Sequence, residues 1–368
     1  MKILVTGGAG FIGSHLVDGL LREGHEVRVL DALEPQVHAR EAWPDYLAET
    51  ERIRGDIRDR EVVSRALDGI DVVSHQAAVV GVGQSMYEIE RYVSVNTLGA
   101  AVLLEEIVRR RDRIQRLVVA SSMSIYGEGA YVAPDGSPAF PRLRSDAQLE
   151  RREWDLCDPQ VGVLRPVPTP EEKPMFPTSV YAVTKRDHEE LFCTVGAAYR
   201  IPTVALRYFN VYGSRQALSN PYTGVAAIFS SRLLNGKAPL VTEDGEQTRD
   251  FVHVSDIVQA NLLAVRSGVA SGVFNVGTGQ PVTIRQVAEL LADRLGVSIT
   301  PEITGRFRAG DIRHCYADIR RARDELGYEP KVSFGDGIGK LVEWVEKQTA
   351  VDRVEAAVGE LAERGLTR

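Results

Sequence analysis

A doubly wound α/β fold with a parallel sheet is the fold class that this sequence predicts, and two observations predict it. Short runs of β-branched and apolar residues alternate with helical patterns along the first 209 residues, which is typical of repeated strand–helix units. A glycine-rich turn leads from the first strand directly into the first helix. We therefore expect a large domain over 1–209, interrupted by a proline-rich insert over 128–180.

Beyond residue 209 the pattern becomes less regular, and it predicts a smaller substrate lobe over 210–337. Helical patterns reappear between 252 and 295. We expect this stretch to return to the large domain, so that the two units interleave along the chain. Residues 338–368 begin with the apolar spacing of an amphipathic helix and are expected to form a helical tail.

The composition excludes several classes of protein. The chain has 368 residues and a formal net charge of −7, which is a poor match for a nucleic-acid or membrane-surface binder. Its three cysteines form no CxxC pair and its seven histidines show no metal-ligand spacing, so we expect neither a disulfide framework nor a metal site. No apolar run reaches the ~18 residues that span a membrane. A strand-like run begins at Lys2, which leaves no room for a signal peptide and predicts a cytoplasmic protein.

The segment 6–13 lies between a strand and a helix, and in that context it is the fingerprint of a Rossmann dinucleotide site. Its first glycine permits the tight turn, the second lets the backbone approach the pyrophosphate, and the third lets the helix pack closely on the sheet. The start of the helix offers free N–H groups to the phosphates. The residues expected to contact the cofactor here are Gly7, Gly10, Phe11, Ile12 and Gly13.

The second strand ends at Asp31. A carboxylate at that position can accept hydrogen bonds from both adenosine ribose hydroxyls and would repel a 2′-phosphate. The sequence therefore favours NAD over NADP. Asp56 and Ile57 could flank the adenine, and the small side chains of Ala77 and Ala78 would let the nicotinamide ribose approach.

Tyr181 and Lys185 begin a helix that runs to about Tyr199, and their spacing puts them on one helix face. A neighbouring ammonium and a positive nicotinamide would both lower the pKa of the phenol. Tyr181 could then take a proton from a substrate hydroxyl while hydride leaves the carbon for NAD. Lys185 would also hold the nicotinamide ribose, and Ser122, at the end of a buried strand, would hydrogen-bond the same substrate oxygen. The alternative is a surface pair in which the lysine stem packs on the ring.

Taken together, these motifs resemble the extended short-chain dehydrogenase/reductase family, in its nucleotide-sugar epimerase/dehydratase branch. The resemblance implies that Asn96 and Phe209 also belong to the cofactor site, with Phe209 facing the nicotinamide. It further implies a homodimer built from helices near 97–110 and 181–199. The matching segments run nearly end to end and are 6–13, Asp31, 55–56, 75–78, Asn96, 121–127, 181–185, 207–213, 249–254, 274–277 and 308–311.

The same resemblance implies a nucleotide-diphosphate sugar, carried on dTDP or UDP, as the substrate. Ser124 and Asn210 would contact it, Asn210 at the diphosphate. Arg249 and Arg308 would neutralise that diphosphate, which suits bidentate guanidinium groups, and Asp311 would hold the nucleotide ribose. For each of these charged side chains the alternative is a surface ion pair, and Arg249 has an acidic neighbour with which it could pair locally.

The residues that follow Ser122 distinguish the reactions of this family. In its 4,6-dehydratases an Asp and a Glu would stand at the positions of Met123 and Ser124, as the acid and base that remove water. A thioether cannot donate a proton, and an alcohol is a poor substitute for a carboxylate. We therefore expect a 4-epimerase, in which C4 is oxidised to a ketone, the keto-sugar rotates and hydride returns to the other face. The alternatives are a 4,6-dehydratase or decarboxylase, a 4-ketoreductase, and a non-catalytic NAD-binding regulator.

The insert 128–180 is rich in proline, which rules out a long helix or a central strand. Trp154 and the apolar run 161–164 indicate a packed structure. A lid beside the sugar and a surface loop are both compatible with this pattern.

Overall fold

A seven-stranded parallel sheet forms the centre of the computed structural model, which describes residues 1–38, 42–266, 268–269 and 271–367. Five of the strands come from the first 122 residues. The strands and helices of this part are β1 (Lys2–Thr6), α1 (Phe11–Arg22), β2 (Glu26–Asp31), β3 (Glu51–Arg54), α2 (Arg60–Ala66), β4 (Val72–His75), α3 (Val82–Ser85), α4 (Ile89–Tyr92), α5 (Gly99–Val108) and β5 (Arg116–Ser122).

Short irregular helical turns complete this part of the chain, and one of them follows β5 directly. The predicted insert then contributes small elements only, as its prolines require. They are β6 (Ala130–Val132), β7 (Pro138–Ala139), α6 (Asp146–Glu150), β8 (Cys157–Asp158), β9 (Gly162–Val163) and β10 (Arg165–Val167).

The remaining elements divide between the central sheet and a smaller lobe. They are α7 (Val180–Tyr199), β11 (Thr203–Tyr208), β12 (Asn210–Tyr212), α8 (Val225–Leu234), β13 (Leu240–Val241), β14 (Thr248–His253), α9 (Val254–Arg266), β15 (Ser271–Val276), β16 (Pro281–Thr283), α10 (Ile284–Arg294), β17 (Glu302–Ile303), β18 (His314–Cys315), α11 (Arg320–Leu326), α12 (Phe334–Val345) and α13 (Val354–Glu363).

The central sheet has the strand order β3-β2-β1-β4-β5-β11-β15, and every neighbouring pair is parallel. Apolar side chains of α1 and α9 cover one face, and those of α2, α5 and α7 cover the other. Because both faces are covered, β4 and β11 are buried along their whole length. The predicted doubly wound parallel sheet is therefore confirmed.

The register of the strands brings their carboxyl ends together. Thr6 lies opposite His75, and Tyr208 lies between Ser122 and Val276. In doubly wound folds the ligand crevice lies beyond this edge of the sheet. The fold therefore fixes where a functional site is to be sought.

The smaller lobe is built around β12, β14 and β16, with β18 paired to β14. Its core is an apolar cluster shared by α8, α10 and α12. The predicted return of 252–295 to the large domain is thus too long, because α9 and β15 join the large domain whereas α10 packs in this cluster. The predicted tail also starts earlier, at Phe334, since the Ser333 hydroxyl accepts a hydrogen bond from the backbone of Asp336 and caps α12 there.

The insert is a packed unit. β10, β6 and β7 form an antiparallel sheet over a small core of Tyr131, Leu156 and Leu164. Within the part of the chain that the structure describes, no helix is both long and apolar enough to cross a membrane.

Candidate active site

A cavity of about 890 Å³ opens at the carboxyl edge of the central sheet and is lined by residues of both lobes. Its size suits a small-molecule site. All but one of the predicted site residues line it. They are Gly7, Gly10, Phe11, Ile12, Gly13, Asp31, Asp56, Ile57, Ala77, Ala78, Ser122, Ser124, Tyr181, Lys185, Phe209, Asn210, Arg249, Arg308 and Asp311.

The glycine turn has the shape that a pyrophosphate site needs. Gly7 has a φ of +69°, and a Cβ atom on Gly13 would lie 2.1 Å from the carbonyl oxygen of Gly7, so only glycine fits there. The α1 helix begins after Gly10 with no side chain capping its first N–H groups. Those groups lie at the cavity and are available to an anion. The turn therefore fits the diphosphate of a dinucleotide.

The carboxylate of Asp31 is held in place by neighbouring backbone N–H groups. Its two carboxylate oxygens accept hydrogen bonds from the backbone N–H of Ala9, at 2.9 Å, and of Leu33, at 2.8 Å. Each oxygen has further lone pairs for a ribose hydroxyl. Asp56 is paired with Arg58, and hydrogen bonds from that guanidinium lower the pKa of the carboxyl group. These placements fit NAD at this end of the cavity.

Asn96 is the one predicted site residue that does not line the cavity. Its side chain is completely buried and exchanges two hydrogen bonds with the backbone of Val79, at 2.9 and 3.1 Å. It also donates to the hydroxyl of Thr184, at 2.9 Å. The expected contact of Asn96 with the cofactor therefore stays a prediction. The structure shows that Asn96 fixes a cavity-lining loop to the α7 helix, next to Lys185.

The start of α7 brings Tyr181 and Lys185 to the cavity. The Ser179 hydroxyl accepts a hydrogen bond of 3.1 Å from the backbone of Ala182 and so begins the helix at Val180. The Lys185 ammonium is buried and donates to the carbonyl oxygen of Ala120 at 2.9 Å. Both side chains are buried, which excludes the alternative of a surface pair.

Three hydroxyl groups meet where β5 ends. The Tyr181 hydroxyl lies near Ser122, whose hydroxyl group acts to lower the pKa of the phenol. The Ser124 hydroxyl donates to the Ser122 oxygen at 2.9 Å. A substrate hydroxyl placed against this group would meet both a proton acceptor and a second hydrogen-bonding partner.

Burial has the largest effect on the pKa of both α7 residues. It raises the pKa of Tyr181 to about 12, and Ser122 acts in the opposite direction. Burial lowers the pKa of Lys185 to about 7. The expected lowering of the phenol pKa is therefore not provided by the protein alone, because the loss of hydration of the phenolate on burial outweighs the opposing effect of Ser122.

Two histidines that the sequence did not single out lie behind Lys185. The rings of His75 and His188 are 5.0 Å apart, and the Nδ1 atom of His75 lies 2.8 Å from the hydroxyl of Thr6. Burial, with a smaller effect of the Lys185 charge, lowers the pKa of His75 to about 3 and that of His188 well below its usual value. Both rings are therefore neutral at pH 7, and neither adds a positive charge beside Lys185.

Arg249 does not pair with its neighbour Asp250. Its guanidinium donates to the carbonyl oxygens of Thr248, Ile312 and Arg313, at 2.7–3.0 Å. Carbonyl groups hold the side chain in place without neutralising its charge. Arg249 is therefore available to an anionic ligand in the cavity.

Arg308 and Asp311, by contrast, bind each other at 2.9 Å. The predicted alternative of an ion pair is what the structure shows for these two side chains, although both line the cavity. Asn210 also lines the cavity, and its side-chain oxygen is buried without a hydrogen-bond partner among the described residues. A buried amide oxygen of this kind is normally paired, which points to a ligand at Asn210.

The insert is neither a lid nor a loose loop. Of the range 128–180, only Thr178 and Ser179 line the cavity. Arg144, in the middle of the insert, binds the carboxylate of Glu243 through two hydrogen bonds of 2.8 and 2.9 Å and donates to the carbonyl oxygen of Asp311 at 3.3 Å. The insert thus supports the smaller lobe from outside the cavity.

The α13 helix forms a part of the cavity wall that was not predicted from the sequence. Its cavity-lining residues are Val354, Ala357, Val358 and Leu361. They follow the i, i+3, i+4, i+7 spacing of a helix face, so their periodicity was the available signal.

Comparison with known proteins agrees with this geometry. The model of the NAD dependent epimerase/dehydratase family matches residues 3–144, and that of GDP-mannose 4,6 dehydratase matches residues 160–341. The chain is 36% identical to dTDP-L-rhamnose 4-epimerase of Burkholderia thailandensis, over 94% of this chain and 95% of that protein. Proteins named dTDP-glucose 4,6-dehydratase also match, at 30% identity.

Solved structures give the same picture. The UDP-glucose 4-epimerase of Thermotoga maritima with UDP-glucose has a TM-score of 0.77 and 33% identity, covering 94% of this chain and 99% of that one. The UDP-glucose 4-epimerase of Thermus thermophilus in complex with NAD has a TM-score of 0.75 and 33% identity, covering 95% and 100%. With its dinucleotide turn, its buried Tyr181–Lys185 pair and this coverage, the chain belongs to the NAD-dependent nucleotide-sugar epimerase/dehydratase family of extended short-chain dehydrogenases/reductases.

Proposed function

We propose that this protein is an NAD-dependent 4-epimerase of a dTDP- or UDP-hexose. The observation that carries the proposal is the group of three hydroxyls formed by Ser122, Ser124 and Tyr181. It provides what oxidation and reduction of one carbinol require, a proton acceptor and a second partner for the same oxygen. The relatives named as 4-epimerases support this reading.

Elimination of water needs an acid and a base beside the sugar, and among the described residues the cavity offers no carboxylate that is free for these roles. Met123 follows Ser122 and packs into the apolar core, where it is 8% exposed. The carboxylates among the described cavity-lining residues are those of Asp31, Glu34, Asp56 and Asp311. Each already binds a cation or a backbone donor. This arrangement supports epimerisation over dehydration.

The residues of the chain then have distinct tasks. NAD, when bound, supplies the hydride acceptor and a positive charge. Tyr181 accepts the proton of the C4 hydroxyl and later returns it, and Ser122 hydrogen-bonds the same oxygen in both steps. The positive charge favours the phenolate and so acts against the high pKa that burial imposes on Tyr181. Lys185 holds the nicotinamide ribose.

Rotation of the keto-sugar requires that the rest of the substrate stays bound. Arg249 offers a charged guanidinium held by three carbonyl groups, and Asn210 offers an unpaired amide oxygen. Together with Arg308, Arg249 would hold the diphosphate while the sugar turns. The buried Tyr181–Lys185 pair speaks against a regulator without catalysis, which needs no such pair.

The test is a panel of UDP- and dTDP-hexoses incubated with the NAD-loaded protein and analysed by NMR. We expect equilibration of two C4 epimers with no net change in NAD reduction. Accumulation of a 4-keto-6-deoxy sugar would contradict the proposal. Tyr181→Phe should abolish turnover and keep bound NAD, whereas Tyr199→Phe, at an exposed position of the same helix, should leave turnover unchanged.

A further inference from the structure

We propose that residues 351–367, here called the strap, form a wall of the substrate half of the cavity and close it over the bound nucleotide sugar. The inference rests on the proposed function, because it concerns the substrate of that same site. The strap consists of a short lead, the α13 helix and a turn that ends at Thr367. Its role follows from what it faces and from where it is attached.

One face of α13 belongs to the cavity. Val354, Ala357, Val358 and Leu361 line it, and they make an apolar surface. Ala356, which neighbours one of them in sequence, is exposed on the other side of the helix. An apolar surface of this kind can pack on the face of a base or a sugar ring, while the phosphates are bound elsewhere.

The lead of the strap is attached to the smaller lobe. The Asp352 carboxylate is 3% exposed and binds Arg232 at 3.3 Å and Lys237 at 3.2 Å. The backbone N–H of Val351 donates to the Ser219 hydroxyl at 3.0 Å. Since the Asp352 contact is buried and doubly paired, this end of the strap is fixed.

The far end of α13 reaches the large domain. The Glu360 carboxylate accepts hydrogen bonds from the hydroxyls of Tyr87, at 3.0 Å, and Tyr222, at 2.8 Å. The Arg364 guanidinium lies 4.4 Å from the centre of the Tyr87 ring. Tyr87 follows α3 of the large domain, and Tyr222 itself lines the cavity. The strap thus crosses from one lobe to the other.

After α13 the strap returns to a predicted substrate-binding segment. The backbone N–H of Ala309 donates to the carbonyl oxygen of Leu366 at 2.9 Å, and Thr367 pairs with Arg308 in an antiparallel bridge. The Thr367 hydroxyl is buried, lines the cavity and has no hydrogen-bond partner among the described residues. A buried hydroxyl beside Arg308 is placed to bind a polar group of the substrate.

These attachments differ in strength. The contact at Asp352 is a buried ion network, whereas the contact at Glu360 consists of hydrogen bonds from two phenols at a half-buried position. The strap can therefore open when the Glu360 hydrogen bonds and the backbone contacts of its last residues with 308–309 are released, while Asp352 stays bound. Such opening would admit and release the nucleotide sugar without disturbing bound NAD.

A pair of substitutions tests the wall. Ala357→Leu puts a larger side chain into the cavity, and Ala356→Leu places the same side chain in solvent. Binding of UDP and of dTDP to the NAD-loaded protein is measured by calorimetry, with bound NAD determined in parallel. We expect Ala357→Leu to weaken the tighter-binding nucleotide at least tenfold, with NAD content and the Ala356→Leu variant unchanged. Equal binding by both variants would overturn the inference.

A chain ending at Lys347 tests the closure. We expect at least a tenfold rise in KM and faster release of the nucleotide, with bound NAD retained. Unchanged KM and release would overturn the inference. If this chain does not fold, nucleotide release is measured on Glu360→Ala, which removes the phenol contacts of the strap, and an unchanged release rate would overturn the closure. Nucleotide binding needs no turnover, so a failure of the full chain to epimerise any sugar would count against the proposed function and leave the strap to be judged by binding.

Discussion

The Ser124 hydroxyl donates a 2.9 Å hydrogen bond to the Ser122 oxygen, near the Tyr181 phenol whose pKa Ser122 acts to lower. Because Ser122 accepts this bond, it can donate its own proton to another oxygen. Ser124→Ala removes one hydrogen bond of about 0.5–1.5 kcal/mol, so we expect kcat to fall about 2–10-fold. Steady-state kinetics measures this change. A variant with unchanged kcat would show that Ser124 does not orient Ser122.

Because of Lys185, we expect the stability of the folded protein to increase with pH. Burial lowers the pKa of its ammonium from 10.5 to about 7, so between these values the unfolded chain holds a proton that the folded chain has lost. As the pH rises from about 7 to 10.5, the free energy of unfolding therefore increases. As the pH falls through the same range, it decreases.

Lys185→Met removes the titrating ammonium group, and with it the pH-dependent part of the stability. The substitution also abolishes activity. We expect the variant to be more stable than the wild type at pH 7 by roughly 1–3 kcal/mol. The difference should shrink as the pH rises towards 10. Urea denaturation at pH 7, 8.5 and 9.5 measures it. A constant difference at all three values would contradict the assigned pKa of Lys185.

The glycine turn allows a matched comparison of two helical glycines. Gly13→Ala would place a Cβ atom 2.1 Å from the carbonyl of Gly7, and we expect a loss of about 1–3 kcal/mol of stability together with loss of bound NAD. Gly339→Ala, inside α12, has no atom within 4 Å of the added Cβ. It should be neutral or stabilise the protein by up to about 1 kcal/mol. Thermal unfolding and the absorbance of released NAD report both effects.

The insert should contribute to stability through Arg144. Its guanidinium and the Glu243 carboxylate are both almost completely buried, and Arg144→Met leaves that carboxylate with Arg313 as its remaining cationic partner. We expect a loss of about 1–3 kcal/mol in chemical denaturation. The control is Arg151→Met, which breaks an exposed pair with Glu153 in the same insert and should have no measurable effect. Equal stability of the two variants would contradict the role of Arg144.

The family resemblance implies a homodimer through helices near 97–110 and 181–199, and we propose that the surface of this dimer includes the adjoining residues 89–98. Ile89, Val93, Leu98 and Val183 leave an apolar group of side chains exposed on these neighbouring elements. Leu98→Glu should give a monomer in light scattering. Val163→Glu, at an exposed apolar position of the insert, should keep the oligomeric state of the wild type. A Leu98→Glu variant of unchanged mass would exclude this surface.

The parts of the molecule that sequence predicts well are those whose chemistry needs fixed residues at short spacing. The turn around Gly7 needs a positive φ, and Tyr181 and Lys185 need one helix face. Such requirements are local, and a single sequence displays them. Arg249 and Asn210 came from family resemblance, and nothing local marks them as ligand-binding residues.

What the sequence does not reveal depends on long-range packing. The helical pattern of 284–294 shows a buried face but not which lobe buries it. The strand β15 is as long as β11, but no motif in its sequence assigns it to the central sheet. Asn96 stands at the expected position, yet its side chain turns to Val79 and Thr184. The pKa of Tyr181 depends on how completely the folded chain removes water from the phenol, which spacing along a helix does not show.

The position of β15 has a consequence for biosynthesis. The strand that completes the central sheet follows β12, α8, β13 and β14 of the smaller lobe in the chain, so β11 presents an unpaired edge to its surroundings until residues 271–276 have left the ribosome. Unpaired edges invite association with other chains. A premature stop before residue 271 should therefore yield aggregated material rather than a smaller folded protein.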